Sequence, residues 1–498
     1  MFGADDAKDA NMAESLKDKT VKGVGWNLGG SMASYGITFL VGIVLARLLS
    51  PEEYGLIGII MIFVTVFDGI IDSGFSNALI RKKDADEADN NTMFITNLVF
   101  SVVLFFVMFL GAPLIARFFG HDILVPLTRV MSCYLVINAF CLIQRALLVR
   151  EIDFKTITKC QFISAGLSGI VGVSMALAGC GVWSLVGQNL SRIFFNTLCL
   201  WIFRNWKPSF SFSWDSFRDL FGFGWKLMVS GIINSVWGQL YQVVIGKCYS
   251  TETLGQYTKA REYVDIVSKY LTSVVQQVSY PALSQIQDEK ERLKGGYRRV
   301  IKLTMLVVFI LVLGMAACAK QLILVLIGEK WLPCVPIMQI VCFSMSLYPL
   351  HAINLNMLQV QGRSDLFLKL EIVKKVIGIL PILAGIFFNI YWMLIVGFVT
   401  GGCIDFILNS YYSGRFVGYS TKDQLMDILP SLWVALAVAL PVFGLSFLPL
   451  NPFILLPVQL IVGAAIAFLL LERTRLEEYQ ELKQIAIPIV NRVIKRHG

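Results

Sequence analysis

Apolar residues recur along this chain in about fourteen long stretches separated by short polar connections: 22–49, 54–80, 92–119, 123–148, 155–178, 181–203, 219–247, 254–282, 300–327, 334–360, 366–389, 391–412, 427–447 and 452–471. Each holds the roughly 20 mostly apolar residues that a helix needs to cross a bilayer, where no water satisfies backbone amides and carbonyls. The pattern predicts an all-α integral membrane protein with about fourteen transmembrane helices.

Composition sharpens the class. Hydrophobic residues make up 56% of the chain and charged residues only 15%, against roughly 25% charge in a soluble domain. The first twenty residues are polar and carry no apolar stretch or cleavage site of a secretory signal, so the first helix is expected to be retained. The ten cysteines stand singly, without CxxC spacing or a His cluster, which argues against a zinc site or a disulfide framework. No cofactor is expected.

Lysines and arginines alternate in their placement. One set of connections carries Lys17, Lys19 and Lys22, then Arg81, Lys82 and Lys83, Arg150 and Lys155, Arg204, Lys207 and Arg218, the cluster Lys290 to Arg299, Arg363 and Lys369, and Arg415 and Lys422. The opposite set is nearly bare. Basic residues of short loops stay on the cytoplasmic side, so both termini are expected there. The net charge of +9 then answers to topology and anionic lipid rather than to nucleic acid.

The chain also repeats itself. Ser50, Glu52 and Gly55 return 200 residues later as Ser250, Glu252 and Gly255, and Asn138-Ala139, Leu142, Arg150 and Phe154 return at a spacing of 213 as His351-Ala352, Leu355, Arg363 and Phe367. These matches predict two six-helix lobes, 1–204 and 219–415, related by a parallel pseudo-two-fold along the membrane normal. A polar, aromatic linker at 205–218 joins them, two additional helices occupy 416–471, and 472–498 forms a cytoplasmic amphipathic tail. Residues 283–299 and the tail, with Leu476, Leu482, Ile485, Val490, Val493 and Ile494, are expected to lie along the inner membrane face.

Four stretches carry a family likeness: Ala46 to Gly55 (ARLLSPEEYG), Asp72 to Ile80, Leu254 to Ala260, and Gly328-Glu329-Lys330-Trp331 leading to Pro336 and Gln339. Over residues 15–415 the chain resembles the polysaccharide transporters, the Wzx-type flippases of the MOP superfamily, which also holds MATE exporters and the lipid II flippase. Its likeness is to the colanic-acid-exporter-like branch. The resemblance implies a V-shaped pair of lobes that work by alternating access, and no enzyme activity. It implies as cargo an undecaprenyl-diphosphate-linked oligosaccharide, passed from the cytoplasmic to the periplasmic leaflet for surface polysaccharide synthesis. It also implies a monomer among membrane lipids, alongside polysaccharide polymerase machinery.

Charge within the bilayer costs about 2.5–3.5 kcal/mol on insertion scales, so ionised side chains there face protein or a wet cavity. Thr65, Asp68, Asp72 and Ser76 fall on one helix face, as do Thr258, Arg261, Asp265, Ser268, Thr272 and Gln276, with Lys259, Glu262 and Lys269 close by. Lys226, Ser230, Asn234, Trp237 and Tyr241 form a third stripe, and Asn189, Arg192 and Asn196 a fourth. These four stripes are expected to line one hydrated vestibule.

Head-group contact is assigned to Arg47, Arg129, Arg145, Arg192, Lys226, Asn234, Trp237, Tyr241, Lys259 and Arg261, because guanidinium forks suit phosphate and aromatic faces suit sugar rings. Cation coupling, by H+ or Na+, is assigned to Asp68, Asp72, Asp265, Asp405 and Asn409. Blander readings stand beside these. Arg261 and Asp265 can neutralise each other at i,i+4, Asp68 and Asp72 can bond to another helix, and Arg47 can snorkel to the interface. His351 reads as a packing histidine, and Glu371 with Lys375 as an interfacial pair. Trp26, Trp201, Trp206, Trp225, Trp331 and Trp392 read as interface markers.

Two rivals remain from other classes. A membrane polymerase or glycosyltransferase calls for a sizeable catalytic loop, whereas the longest loops here run to about fifteen to twenty residues. A MATE-like exporter of small cations calls for an acidic cavity wall. There is no Walker motif for direct ATP use.

Overall fold

The computed structural model describes residues 33–72, 75–82, 84–204, 206–209 and 211–484. Lys17, Lys19, Lys22, Trp26, Ser73, Gly74, Lys83, Asn205 and the tail beyond 484 lie outside the described residues, as do the side chains of Asn77, Arg81, Phe223, Lys226 and Ser364.

Every regular element among the described residues is helical. The chain runs through α1 (Ala33–Leu48), α2 (Pro51–Asp72), α3 (Phe75–Arg81), α4 (Glu87–Phe119), α5 (Leu124–Arg150), α6 (Phe154–Leu177) and α7 (Trp183–Phe203). It continues with α8 (Trp214–Cys248), α9 (Thr251–Ser284), α10 (Lys290–Ala317), α11 (Ala319–Leu326), α12 (Cys334–Ser346) and α13 (Tyr348–Val360). The last elements are α14 (Ser364–Ile377), α15 (Ile379–Phe387), α16 (Ile390–Gly397), a π-helical turn (Phe398–Ile404), α17 (Asp405–Val417), α18 (Thr421–Leu445) and α19 (Pro452–Thr474).

Where described, these helices fall on the expected apolar stretches, and nine spans among the described residues combine the length and apolarity of a membrane crossing. The chain is a multi-pass membrane protein. Helices α7, α8 and α9 are long enough but fall short in apolarity, and they carry three of the four polar stripes. The lipid-facing character of the others shows on α4, where Val99, Val103, Phe106, Leu110 and Leu114 form an exposed row at helical spacing. Such a row would promote association in water and suits acyl chains.

Two compact units divide the chain, the first ending at Gly255 and the second beginning at Gln256. In the first, α6 lies along α7 and α4 along α5, and α8 packs on α2, α3 and α4. The stretch expected as a linker is tied to this unit. Asn91 Nδ2 donates to Ser209 Oγ at 2.7 Å, Ser209 N–H to Asn91 Oδ1 at 2.9 Å and Ser213 N–H to Thr92 Oγ1 at 3.0 Å. Trp201 and Trp206, read as interface markers, pack instead with Phe94 and Phe140.

The repeated sequence motif proves to be a helix start. Ser50 caps α2 by accepting from Glu53 N–H at 3.3 Å while its own N–H donates to Glu53 Oε2 at 2.6 Å, a reciprocal capping box. Ser250 accepts from Thr253 N–H at 3.1 Å at the start of α9. These two starts cross backbone to backbone within the first unit. A Cβ on Gly55 would run into the Thr251 carbonyl, and one on Gly255 into the Pro51 carbonyl, so the offset of 200 residues holds on both sides of the contact.

In the second unit α10 is the central helix. Its Tyr297, Ile301, Met305, Phe309 and Leu313 pack against α13 and α18. A buried polar network ties the same helices: Tyr297 donates to Asn354 Oδ1 at 2.6 Å, Asn354 Nδ2 to Gln424 Oε1 at 3.1 Å, and Ser413 to Asn354. Trp331, also expected at an interface, is fully buried.

In both amphipathic segments the described apolar residues pack against protein, and Ile485, Val490, Val493 and Ile494 lie outside the described residues. Leu283 and Leu293 are buried in the α10 core with Ile286 packed on it. In the tail, Leu476, Tyr479 and Leu482 cover Leu306, Val434 and Leu471. Salt bridges hold the tail there, from Lys302 to Glu477 at 2.9 Å and Glu478 at 3.2 Å and from Arg299 to Glu481 at 2.7 Å.

Replacing Gly55 or Gly255 by valine should separate the crossing starts and cost about 1–3 kcal/mol, read as a lower melting temperature of the purified protein; unchanged melting for both would remove the crossing. The tail has a pH signature. The hydrogen bond from Lys302 holds the Glu477 carboxyl below its ordinary value of 4.5. A lowered folded-state pKa gives stabilisation that is complete above the ordinary value and lost as pH falls through the folded one. Hydrogen-exchange protection factors of residues 477–484 should therefore drop below about pH 4, and flat protection down to pH 3 would contradict the docking.

Candidate functional site

Helix α7 positions the core of the site. Asn189, Arg192 and Asn196 recur at three and four residues, which places them on one face, and all three line a cavity of about 290 Å³ in the first unit. Ser34 and Tyr35 of α1, Met61 of α2, Tyr134 of α5, and Gln161 and Ser164 of α6 complete most of the wall. The wall is polar and carries one formal charge, the Arg192 guanidinium. Among the described residues no carboxylate pairs with it; its electrostatic neighbours are the phenols of Tyr35 and Tyr134.

Amide groups around Arg192 are only partly used. Asn189 Nδ2 donates to the Leu185 carbonyl at 2.8 Å, and Asn196 Nδ2 to Cys141 Sγ at 3.2 Å. The Asn196 Oδ1 is buried with no partner among the described residues. An orphaned acceptor costs about 1–3 kcal/mol, so the cavity suits a hydrated or hydroxyl-bearing ligand better than an apolar one. A guanidinium with no carboxylate partner, flanked by phenols and amides, can bind an anion through charge-assisted hydrogen bonds.

Next to this wall, Asn138 Nδ2 donates to Asp68. Asn138 stands one turn along α5 from Tyr134. Arg145 lies within electrostatic reach of both Asp68 and Tyr134. Asp68 thus takes the bond to another helix that was one of its two readings. Asp72 is exposed and accepts from Ser76 Oγ at 2.5 Å.

The other expected ligands separate. Arg129 places its guanidinium 5.0 Å from the centre of the Phe109 ring, and Arg47 is exposed at the end of α1. Asn234, Trp237 and Tyr241 on α8 are outside the cavity wall, and the Lys226 side chain lies outside the described ones.

In the second unit the charges of α9 pair along their own helix. Lys259 Nζ donates to Glu262 Oε2 at 2.7 Å and is nearly fully buried. Arg261 Nη1 donates to Tyr257 Oη at 2.8 Å and its Nε stands 3.5 Å from Asp265, whose Oδ2 also accepts from Lys269 at 2.7 Å. The α9 stripe is therefore a ladder in which three cations share two carboxylates along one helix. Glu371 pairs with Lys374 of its own helix. Asp405 is half-buried at the start of α17, and Asn409 is fully buried one turn beyond.

Sequence reasoning missed Tyr35, Tyr134, Gln161 and Ser164. A signal existed for three of them. Tyr134, Asn138, Cys141 and Arg145 share one face of α5, a polar stripe as regular as that of α7, and Gln161 with Ser164 begins another on α6.

Comparison with known proteins places these features in a family setting. A family model described as polysaccharide biosynthesis protein matches residues 44–336, more than half of the chain. The succinoglycan biosynthesis transport protein ExoT of Rhizobium meliloti (strain 1021) is 26% identical over 334 residues, 67% of this chain and 68% of that protein. The lipopolysaccharide biosynthesis protein WzxC of Escherichia coli (strain K12) is 24% identical over 447 residues, 87% of this chain and 88% of that one. Among solved structures, the lipid II flippase MurJ in an inward closed conformation matches with a TM-score of 0.72 at 15% identity, over 91% of this chain and 99% of that chain. That likeness concerns the fold.

The basic wall makes a direct prediction. Binding of inorganic pyrophosphate to the purified protein, followed by calorimetry, should weaken by about 1.5–3 kcal/mol, roughly 10- to 100-fold, in Arg192→Gln. Equal affinity in the variant would move the anion site elsewhere.

Proposed function

The chain belongs to the polysaccharide biosynthesis protein family, and from that membership we propose that it is a flippase for a lipid-linked oligosaccharide in the making of a surface polysaccharide. The cargo is an oligosaccharide on undecaprenyl diphosphate, moved from the cytoplasmic to the periplasmic leaflet of the inner membrane. The protein works as a transporter rather than as an enzyme, with both termini on the cytoplasmic side. The observation that carries the reading is the sign of the cavity wall: Arg192 faces a polar chamber with no carboxylate among its lining residues. An anionic, hydroxyl-rich head group fits that wall.

The physical task is narrow. A polyprenyl tail is at home in hydrocarbon and needs no shelter, whereas phosphate and sugar would have to shed water to cross. A chamber that supplies a guanidinium, phenols and amides in place of that water lowers the barrier for the head group alone. Alternating access then needs only to expose the chamber to one leaflet and then to the other.

Asp68 is the carboxylate best placed to couple a cation, H+ or Na+, to this cycle. It stands beside the chamber on α2, bonded to Asn138 and within reach of Arg145, so a change in its charge is felt where the head group binds. Asp72 and Asp265 are occupied by local partners. A MATE-like exporter of small organic cations is the alternative, and it would be served by carboxylates where this chamber has an arginine.

The test is genetic and chemical. Deleting the gene in its host should cause undecaprenyl-linked repeat units to accumulate in the cytoplasmic leaflet, and the wild-type gene should restore export. Arg192→Glu, expressed at wild-type level, should restore it about tenfold less well or not at all, since reversal replaces attraction for a diphosphate with repulsion. Full rescue by Arg192→Glu would remove the chamber from the pathway, and normal lipid-linked intermediates in the deletion strain would remove the cargo.

A further inference from the structure

The connection between α7 and α8 carries chemistry that the chamber does not use. Its described residues within 204–213 form neither helix nor strand. Backbone of that kind has no place against lipid hydrocarbon, where its amides and carbonyls would go unsatisfied, so it belongs at the level of the head groups. It is one of the connections rich in lysine and arginine, which puts it on the cytoplasmic side in the orientation proposed above.

Side chains of α4 and α5 hold this connection in a fixed shape. Asn91 exchanges two hydrogen bonds with Ser209, Ser213 N–H donates to Thr92 Oγ1 at 3.0 Å, and Gln144 Nε2 donates to the Trp206 carbonyl at 3.2 Å. Rings continue the support inward. Trp214 stands 5.8 Å from Phe217, which stacks on Phe221 at 5.4 Å and lies 6.1 Å from the buried Phe75.

The outer side of this support is apolar and basic. Trp214 is 67% exposed and Phe212 40%, with ring centres 5.1 Å apart. Lys207 and Arg218 are exposed and have no hydrogen bond or ion pair among the described residues. The carboxylates that reach this stretch are already engaged: Glu151 takes Arg204 at 2.7 Å and Asp219 takes Lys82 at 3.0 Å. Asp215 sits in the first turn of α8, where the helix N-terminus favours an acid. Two cations are thus left over beside two exposed rings.

We infer that Lys207, Phe212, Trp214 and Arg218 form a foot that binds the anionic phospholipid surface of the cytoplasmic leaflet. Indole and phenyl rings on a fixed support suit the head-group level, and each lysine or arginine near an anionic surface adds about fivefold in affinity. Lipid is the occupant because the exposed row Phe194, Leu198 and Ile202 runs along α7 at four-residue spacing and leads straight onto the foot. The bonds from Asn91, Thr92 and Gln144 make the foot part of the first unit, so lipid held there fixes the depth of that unit's inner end. Only the orientation in the membrane enters here, and no cargo does.

The experiment is quenching of Trp214 by brominated phospholipid in the full-length protein reconstituted in nanodiscs. Emission lost in Trp214→Phe isolates this indole from the remaining tryptophans, and Trp214→Tyr gives the same subtraction if the first variant does not purify. Dibrominated phosphatidylglycerol should quench that share of the emission and bind there roughly fivefold to twentyfold more strongly than dibrominated phosphatidylcholine. Lys207→Gln/Arg218→Gln should bring the ratio near one while both lipids still quench. NaCl at about 0.5 M should lower the wild-type ratio too, because salt screens exposed charges.

Quenching by aqueous acrylamide and by neither lipid would overturn the proposal, since the rings would then face solvent or another protein. Equal binding of the two lipids in wild type would overturn it as well. A preference for phosphatidylglycerol that survives unchanged in Lys207→Gln/Arg218→Gln would do the same, because the selectivity would then come from elsewhere on the protein. Each of these results leaves the flippase reading standing.

Discussion

An ionised side chain surrounded by hydrocarbon has to be neutralised, hydrated or bound to something, and this requirement sorts nearly every polar feature of the chain. On α9 the solution is internal. Lys259 takes Glu262, and Asp265 is shared by Arg261 and Lys269, all within about three turns of the same helix. On α7 the solution is different, because Arg192 has phenols and amides around it and space in front of it. A charge that could have been paired and is instead left facing a cavity is poised for a ligand of the opposite sign.

The same requirement explains why the three least apolar long helices, α7, α8 and α9, are needed. A lipid-facing helix such as α4 gains by being apolar on its exposed side, and its Val99 to Leu114 row does so. Helices that wall a chamber or carry a charge ladder must give up apolarity on one face, and the rest of the fold covers that face. The shortfall in apolarity marks the helices that carry a polar face.

Much of this was legible in the sequence because it follows from period and spacing. The helical stretches came from apolar runs, and the stripe Asn189, Arg192, Asn196 did reach the cavity. The repeat of Ser50, Glu52 and Gly55 as Ser250, Glu252 and Gly255 turned out to mark two helix starts that cross through their glycines. What could not be read was partner choice. Spacing along α9 allowed Asp265 either a lumenal role or a partner, and side-chain reach decided for two partners at once. Arg129 went to the Phe109 ring, Trp331 to the core, and the tail to α10, because each depends on which neighbour a fold brings near rather than on the residue's own helix.

The contrast between the units has a consequence for energy coupling. A transporter needs a group whose charge can change near the cargo, and a group that is already compensated by a covalently attached partner is a poor choice. Asp265 is held by two cations of its own helix. Asp68, among the described residues, is hydrogen-bonded to the neutral amide of Asn138 while sharing its surroundings with Arg145 and Tyr134. Loss of its charge would strengthen the basic character felt at the chamber, and gain of charge would weaken it. Under the proposed function, a single protonation or ion-binding event at that carboxylate would change the chamber's affinity for an anion in the direction that capture and release require.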